Sequence, residues 1–131
     1  MITQNKIGDF LTKIKNAQKI HKTICVLQKS KMVLGTLNIL YKEGFINGYS
    51  VEDKRIIVFL KYKINGEPAI QKITIISKSG VPKYISIEKL KMLIKSNKNF
   101  GTLIVSTPAG ILSQKDAIIT NNGGQLLCQI F

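Results

Sequence analysis

Apolar residues recur with a helical period near the start of the chain. Between residues 7 and 17 they are spaced three or four apart, which places five of them on one face of a helix: Ile7, Phe10, Leu11, Ile14 and Ala17. The lysines of the same stretch fall largely on the other sides. The pattern therefore predicts an amphipathic, basic first helix.

Short apolar runs and turn signals organise the chain up to residue 66. The run TICVL at 23–27 predicts a strand, and Ser30 is placed to cap a second helix that ends at Gly44. The runs FINGYSV and KRIIVFLKY follow, with the acidic turn EDK between them, and predict a hairpin covered by the helices. This part of the chain is therefore predicted to form an αβαββ domain.

After the turn NGEP at 65–68 the pattern becomes richer in strands. AIQKITIIS and FGTLIVST predict strands, and Ser86 is placed between them to cap a basic amphipathic helix. Ser113 and Asp116 resemble a capping box that opens a short helix at QKDAII, before a last strand at QLLCQIF. We predict an α+β fold with two small domains, residues 1–66 and residues 67–131, the second mostly β with two short helices.

The charge balance indicates a polyanionic partner. The 131 residues include 20 Lys or Arg and only 7 Asp or Glu, which gives a formal net charge of +13. Arg55 is the only arginine, so lysine point charges dominate and favour contact with a phosphate backbone over the reading of bases. Abundant Lys, Ile and Asn also indicate AT-rich coding, which reduces the weight of the lysine excess as a functional signal.

The sequence shows no pattern typical of an enzyme, a metal site or a membrane span. His21 is the only histidine, and no nucleophile has a visible base. Cys25 and Cys128 lack the spacing of a zinc site and are predicted to be buried thiols in a reducing compartment. No run reaches the roughly 18 apolar residues of a membrane span, and the N-terminus lacks the apolar core of a targeting segment. We therefore expect no catalytic residues and no cofactor.

The segment STPAG at 106–110 is a candidate for phosphate binding. Its two hydroxyls precede a turn-forming Gly110, and Lys115 and the start of a helix lie just beyond. The alternative is a plain turn between two strands, in which Thr107 ends a strand and Ser113 caps the next helix. The local sequence does not decide between the two.

The segment SKSGVPKY at 77–84 is a second candidate. Lys78 and Lys83 flank a glycine turn, and Tyr84 offers an aromatic face to an unpaired nucleotide or a ribose. Alternatively, Tyr84 packs over the edge of a sheet. A third segment, GGQ at 123–125, matches a release-factor tripeptide, but the apolar run that follows favours a turn into a buried strand.

Four segments share their order and spacing with a known family. GTLIVSTPAGILSQKDA fills every constrained position of that family's C-terminal signature, from Gly101 to Ala117. GGQLLCQIF resembles its closing segment, IGDFLTKIKNAQ its opening helix, and LNILYKEGFI its Leu-x-x-Glu-Gly-Phe-Ile stretch. Over nearly its whole length, the chain resembles the bacterial-type small-subunit ribosomal protein eight family.

This resemblance implies a structural constituent of the small ribosomal subunit rather than an enzyme. Such a protein binds the central domain of small-subunit rRNA and stabilises its fold during assembly and translation, mainly through its C-terminal domain. The Ser-Thr loop would pack into the RNA minor groove. Small-subunit proteins two, five and seventeen are the implied protein partners, and no membrane is implied. The alternative is a free-standing RNA-binding or regulatory module outside the ribosome.

The resemblance also assigns RNA-binding residues by position. In the C-terminal domain these are Tyr84, Ser106, Thr107, Gly110, Gly123, Gly124 and Gln125. Lys78, Lys83 and Lys115, from the segments above, complete the predicted RNA-binding residues of this domain. The first helix would add backbone contacts from Thr3, Lys6, Lys13, Lys15 and Asn16.

The chain departs from the family at specific positions. Pro108 and Ala109 stand where the family often has a polar residue and a lysine, and Gln125 replaces the usual glutamate. In the middle turn, the family's Arg-Pro-Gly-x-Arg becomes KSGVP. These losses, the AT-rich composition and the lack of a targeting segment predict an organelle-encoded protein of the mitochondrial small ribosomal subunit, with a plastid or a bacterial cytoplasm as alternatives.

Overall fold

The computed structural model describes residues 2–77, 80–96 and 101–131, and it describes only the backbone for residues 2–6. These residues divide between two compact units. One unit is Lys6–Gln71, and the other comprises Met1–Asn5 and Lys72–Phe131. The predicted α+β class is confirmed, because helices and two antiparallel sheets occur together. The domain boundary between residues 66 and 67 stays a prediction.

The N-terminal unit has the predicted αβαββ order. Its elements are α1 (Ile2–Lys19), whose residues up to Asn5 belong to the other unit, β1 (Ile24–Gln28), α2 (Lys31–Lys42), β2 (Ile46–Val51) and β3 (Arg55–Leu60). The strands form an antiparallel sheet in the order β1-β3-β2. The Ser30 hydroxyl accepts a hydrogen bond from the Val33 amide at 3.1 Å and caps α2, as predicted.

The predicted apolar face of α1 forms part of the core of this unit. Ile7 and Ile14 are completely buried, and Phe10, Leu11 and Ala17 are at most 8% exposed. Burying an aliphatic or aromatic side chain of this size contributes roughly 1.5–3 kcal/mol. The same core includes fully buried residues of α2 and β3, namely Leu37, Leu40, Ile56 and Val58.

The C-terminal unit is built around one long strand. Its elements are β4 (Ile73–Ile75), β5 (Tyr84–Ile85), α3 (Ile87–Lys95), β6 (Thr102–Thr107), β7 (Gly110–Ser113), α4 (Gln114–Ile119) and β8 (Gly124–Ile130). β8 pairs with β4, β5 and β6, and β6 pairs with β7, all antiparallel. β8 is therefore the strand that fixes the positions of the others.

Two details of this unit differ from the sequence prediction. The strand predicted at AIQKITIIS is only three residues long. At its C-terminal end, the Ile76 and Ser77 amides both donate to the Leu127 carbonyl, and the regular ladder ends there. A short strand that was not predicted, β5, begins at Tyr84 and pairs with β8.

The helices of the C-terminal unit pack on one face of its sheet. Leu90 of α3 and Ala117 of α4 share a buried cluster with Ile85, Leu103 and Val105 of the strands. The predicted caps are confirmed: the Ser86 hydroxyl accepts from the Lys89 amide at 3.3 Å, and the Ser113 hydroxyl accepts from the Asp116 amide at 3.4 Å.

Both cysteines are free and buried, as the sequence predicted. Burial raises the pKa of the Cys128 thiol to about 12. Burial also raises the pKa of Cys25, although Lys13 and Lys22 act in the opposite direction. Both thiols therefore stay protonated near neutral pH and behave as small apolar side chains.

Candidate nucleic-acid interface

Three predicted RNA-binding residues lie side by side across the C-terminal sheet. Tyr84 of β5 pairs with Gln125 of β8, which in turn pairs with Ser106 of β6. Directly opposite residues of antiparallel strands carry their side chains on the same face, and their Cβ atoms are roughly 4.5–5.5 Å apart. We call these three residues the cross-strand row. It lies on the face opposite α3 and α4, because the neighbouring Ile85 and Val105 pack beneath those helices.

The side chains of the cross-strand row have unused binding capacity. Tyr84 is 74% exposed. The Gln125 side-chain nitrogen, Nε2, is buried and has no hydrogen-bond partner among the described residues. Ser106 is half-buried, and its hydroxyl makes no hydrogen bond to any residue that the structure describes. A buried amide without a partner costs roughly 1–3 kcal/mol, and a ligand would recover this cost only by drawing the Gln125 Nε2 atom outward.

Two adjacent glycines allow the strands of the row to approach one another. A Cβ on Gly124 would overlap the Ser106 carbonyl oxygen, and a Cβ on Gly123 would lie 2.7 Å from the Ile85 carbonyl oxygen. Any other residue would push β8 away from β6 on one side and from β5 on the other. Gly123 and Gly124 thus have a packing role, and their predicted contact with RNA stays a prediction.

The hairpin loop between β6 and β7 gives the two neighbouring hydroxyls different roles. The Thr107 hydroxyl donates to the Gly110 carbonyl at 2.9 Å and accepts from the Ala109 amide at 3.1 Å. Pro108 holds its own φ near −65°, Ala109 also has a negative φ, and Gly110 takes the positive φ, 118°, that returns the chain to the ladder. Thr107 therefore stabilises the turn, while Ser106 keeps its hydroxyl available.

Sequence reasoning missed two buried polar residues that position the site. The Ser77 hydroxyl accepts from the Lys83 amide at 2.9 Å and donates to the Leu126 carbonyl at 2.6 Å, so it ties the residue before Tyr84 to β8. The Gln114 amide bridges Leu103 and Gly101 at the start of β6. No local motif marks either residue, since their partners are distant in sequence.

The remaining predicted residues of the C-terminal unit are less closely grouped. Lys83 is exposed next to Tyr84, and Lys115 is exposed on α4. Gly110 is exposed at the end of the β6–β7 turn. Lys78 lies outside the described residues. The structure thus brings Lys83 to the cross-strand row through sequence adjacency, whereas Lys115 lies on a separate element.

The predicted contacts of α1 fall on different sides of the helix. Lys13 and Asn16 are exposed, one turn apart, and line the same cleft of the N-terminal unit. Lys15 is exposed on another side, because two residues turn the helix by about 200°. The side chains of Thr3 and Lys6 lie outside the described residues.

The chain is similar to known proteins over its whole length. A model of the family described as "Ribosomal protein S8" matches residues 5–131. The chain belongs to the ribosomal protein S8 family. It is 39% identical to the small ribosomal subunit protein uS8 of Gluconacetobacter diazotrophicus, 40% identical to that of Granulibacter bethesdensis and 38% identical to that of Rickettsia typhi. Each of the three alignments covers 100% of both proteins.

Membership of the S8 family decides the class of function. The family consists of structural proteins of the small ribosomal subunit, so this chain is a ribosomal constituent and not an enzyme. Within the described ranges, no cluster of three or more His, Cys, Asp or Glu residues is placed to hold a metal ion. In the same ranges, no helix has the length and apolar character needed to cross a membrane.

The two hydroxyls of the hairpin loop are expected to affect stability differently. Thr107→Ala removes two hydrogen bonds of the turn and should lower the free energy of unfolding by about 1–3 kcal/mol. Ser106→Ala removes no internal hydrogen bond and should change it by less than about 0.5 kcal/mol. Urea denaturation of the full chain measures both, with Thr107→Ser as the control that retains the hydroxyl. Equal losses from the two alanine variants would contradict this assignment.

Gly124 should tolerate no side chain, unlike a glycine of α1. Gly124→Ala forces β8 away from Ser106 and should destabilise the protein by at least about 2 kcal/mol. Gly8 of α1 has open space around its Cα, so Gly8→Ala should instead stabilise the protein by about 0.5–1 kcal/mol. Thermal and urea unfolding of the two variants provide the comparison. A neutral Gly124→Ala would show that β6 and β8 do not need this close approach.

Proposed function

We propose that this S8 family protein binds the central domain of small-subunit rRNA and stabilises its fold during assembly and translation. The cross-strand row is the proposed contact surface. One observation carries the proposal. Strand pairing places two polar groups without internal partners, the Gln125 amide and the Ser106 hydroxyl, in one row with the exposed ring of Tyr84.

The chemistry of the row suits an RNA minor groove. In A-form RNA this groove is shallow and displays 2′-hydroxyls and base edges. The Ser106 hydroxyl can donate to and accept from a 2′-hydroxyl, and the Gln125 amide can donate to a base or ribose oxygen once its side chain turns outward. Tyr84 can stack on a ribose or on an unpaired base of an irregular loop. The three side chains would fix the register of the protein on the helix.

Lysines would supply most of the affinity without reading sequence. The formal charge of +13 attracts phosphates, and Lys83 and Lys115 lie in the same unit as the row. At the tip of the hairpin, Pro108 and Ala109 provide no charge, so the proposed contact depends more on the row itself. The first helix would add backbone contacts through Lys13, Lys15 and Asn16 from the N-terminal unit.

The setting of the protein is also a proposal. We place it in the mitochondrial small ribosomal subunit, next to the proteins numbered two, five and seventeen. The AT-rich composition and the single arginine support an organelle origin, and the relatives named above are bacterial. A plastid or bacterial ribosome would leave the RNA-binding proposal unchanged.

The proposed surface makes a direct prediction about RNA affinity. Ser106→Ala should weaken binding of the full chain to the cognate rRNA hairpin by about 2- to 13-fold, the effect of one hydrogen bond of about 0.5–1.5 kcal/mol. Ser50→Ala, at an exposed serine of β2 in the other unit, is the matched control and should bind like the native chain. Filter binding or calorimetry at fixed salt measures the ratio. Native affinity in Ser106→Ala would remove this hydroxyl from the interface.

Sedimentation distinguishes a ribosomal constituent from a free-standing RNA-binding module. An epitope-tagged full chain should sediment with small ribosomal subunits in a sucrose gradient, and should remain there after a moderate-salt wash. Mitochondrial fractions should contain it if the proposed compartment is right. A pool confined to the top of the gradient would contradict the proposed function.

A further inference from the structure

The N-terminal sheet has a strand edge with which no other described strand pairs. β1 lies at the end of the order β1-β3-β2, so only β3 pairs with it. Two hydrogen bonds fix which backbone groups of β1 point toward β3. The Leu60 amide donates to the Thr23 carbonyl, and the Lys29 amide donates to the Lys54 carbonyl. Because antiparallel pairs alternate, the amides and carbonyls of Ile24, Val26 and Gln28 point away from β3.

A cleft follows this edge along the strand. A cavity of about 850 Å³ is lined by Asn16 of α1 and by Ile24, Cys25 and Val26 of β1, among others. Cys25 belongs to the buried face of the sheet and Val26 to the exposed face, so the cavity spans the edge between them. A smaller cavity of about 180 Å³ continues along Leu27 and Gln28, and Lys13 lines both.

The edge of β1 has no bulge and no proline, although lysines flank it. Proteins blunt such edges with bulges, prolines or inward-pointing charges. The opposite edge strand, β2, has an irregular register between Ile46 and Gly48, whereas β1 pairs with β3 without interruption. β1 also exposes aliphatic side chains: Ile24 and Val26 are 43% and 44% exposed. The edge itself is therefore regular and apolar, with lysines around it.

The charges around the cleft define the partner. Lys13 and Lys22 line the larger cavity, and Lys13 and Lys29 line the smaller one. Asp9 also lines the smaller cavity. A second copy of this chain would bring the same lysines together and be repelled. RNA would neutralise the lysines, but it would cover the aliphatic side chains with phosphates, and it does not present the regular alternation of donors and acceptors that pairs with a strand edge. An extended peptide with carboxylates satisfies all three features.

We propose that β1 is a docking edge for an extended, acidic segment of a neighbouring small-subunit protein, which adds a fourth strand to the N-terminal sheet. The segment hydrogen-bonds to Ile24, Val26 and Gln28, places apolar side chains against Ile24 and Val26, and directs carboxylates at Lys13 and Lys22. This inference rests on the proposed function, since it requires the chain to be assembled into the small subunit.

Amide hydrogen exchange tests the docking edge in three samples: the free full chain, the full chain bound to naked small-subunit rRNA, and purified small subunits that contain it. The amides of Ile24, Val26 and Gln28 should exchange fast in the first two samples and at least about tenfold more slowly in the third. The amides of Cys25 and Leu27, which face β3, are the internal control and should be slow throughout.

Each other exchange result overturns the inference. Protection by rRNA alone would make RNA the occupant of the edge. Protection that grows with the concentration of the free chain would indicate a second copy. Fast exchange in complete subunits would show an unoccupied edge, while the proposed function would stand because the chain is in the subunit. Absence of the chain from small subunits would remove both proposals.

A matched pair of variants tests the charge of the partner. Val26→Glu places a carboxylate at the edge and should reduce incorporation into small subunits, in competition with the native chain, by roughly 3-fold or more. Val51→Glu, at a residue of similar exposure (46%) on β2, should compete normally. Melting temperatures of both free chains verify that each is folded. If either glutamate variant is unfolded, two other measurements decide. They are the exchange experiment and the incorporation of Val26→Thr, which keeps the edge neutral. Equal incorporation of two folded glutamate variants would contradict an acidic partner.

Discussion

The close approach of backbones at Gly123 and Gly124 is the constraint on which the proposed interface depends. β8 is held between the end of β5 and the end of β6, at distances that leave no room for a Cβ on either glycine. This packing brings Tyr84, Gln125 and Ser106 into register as neighbours. Ser77 reinforces it, because its hydroxyl joins Lys83 to β8. The glycines thus act on function through the geometry of the strands.

The row and the loop beside it divide stability and recognition between adjacent residues. Thr107 satisfies its hydroxyl inside the turn, and Gly110 provides the backbone conformation that the turn requires. Ser106 and Gln125 keep polar groups without internal partners, and the buried amide of Gln125 lowers the stability of the free protein. The proposed contact with rRNA would recover this cost by drawing the Gln125 amide outward. The edge of β1 likewise has backbone polar groups that no strand pairs with, and the proposed second protein would cover them.

Local sequence patterns predicted the helices and their caps correctly. The period of three and four in α1 and the serines before α2, α3 and α4 act within a few residues, so a single sequence reveals them. β5 and the early end of β4 could not be predicted, because they depend on pairing with β8, which lies about forty to fifty residues away in sequence. For the same reason, the sequence indicated Ser106 and Thr107 together and could not separate their roles. The resemblance to the S8 family supplied the site residues that no local pattern marks, such as Gln125.

The central claim is that the cross-strand row of the C-terminal unit contacts small-subunit rRNA. The most direct test is hydroxyl-radical footprinting of the full chain on its own small-subunit rRNA. The same complex is also cleaved from a probe tethered to the protein next to the row. The account predicts protection of one irregular helix of the central domain and cleavage of its minor-groove side. Protection outside the central domain, or cleavage centred on RNA that the chain does not protect, would contradict it.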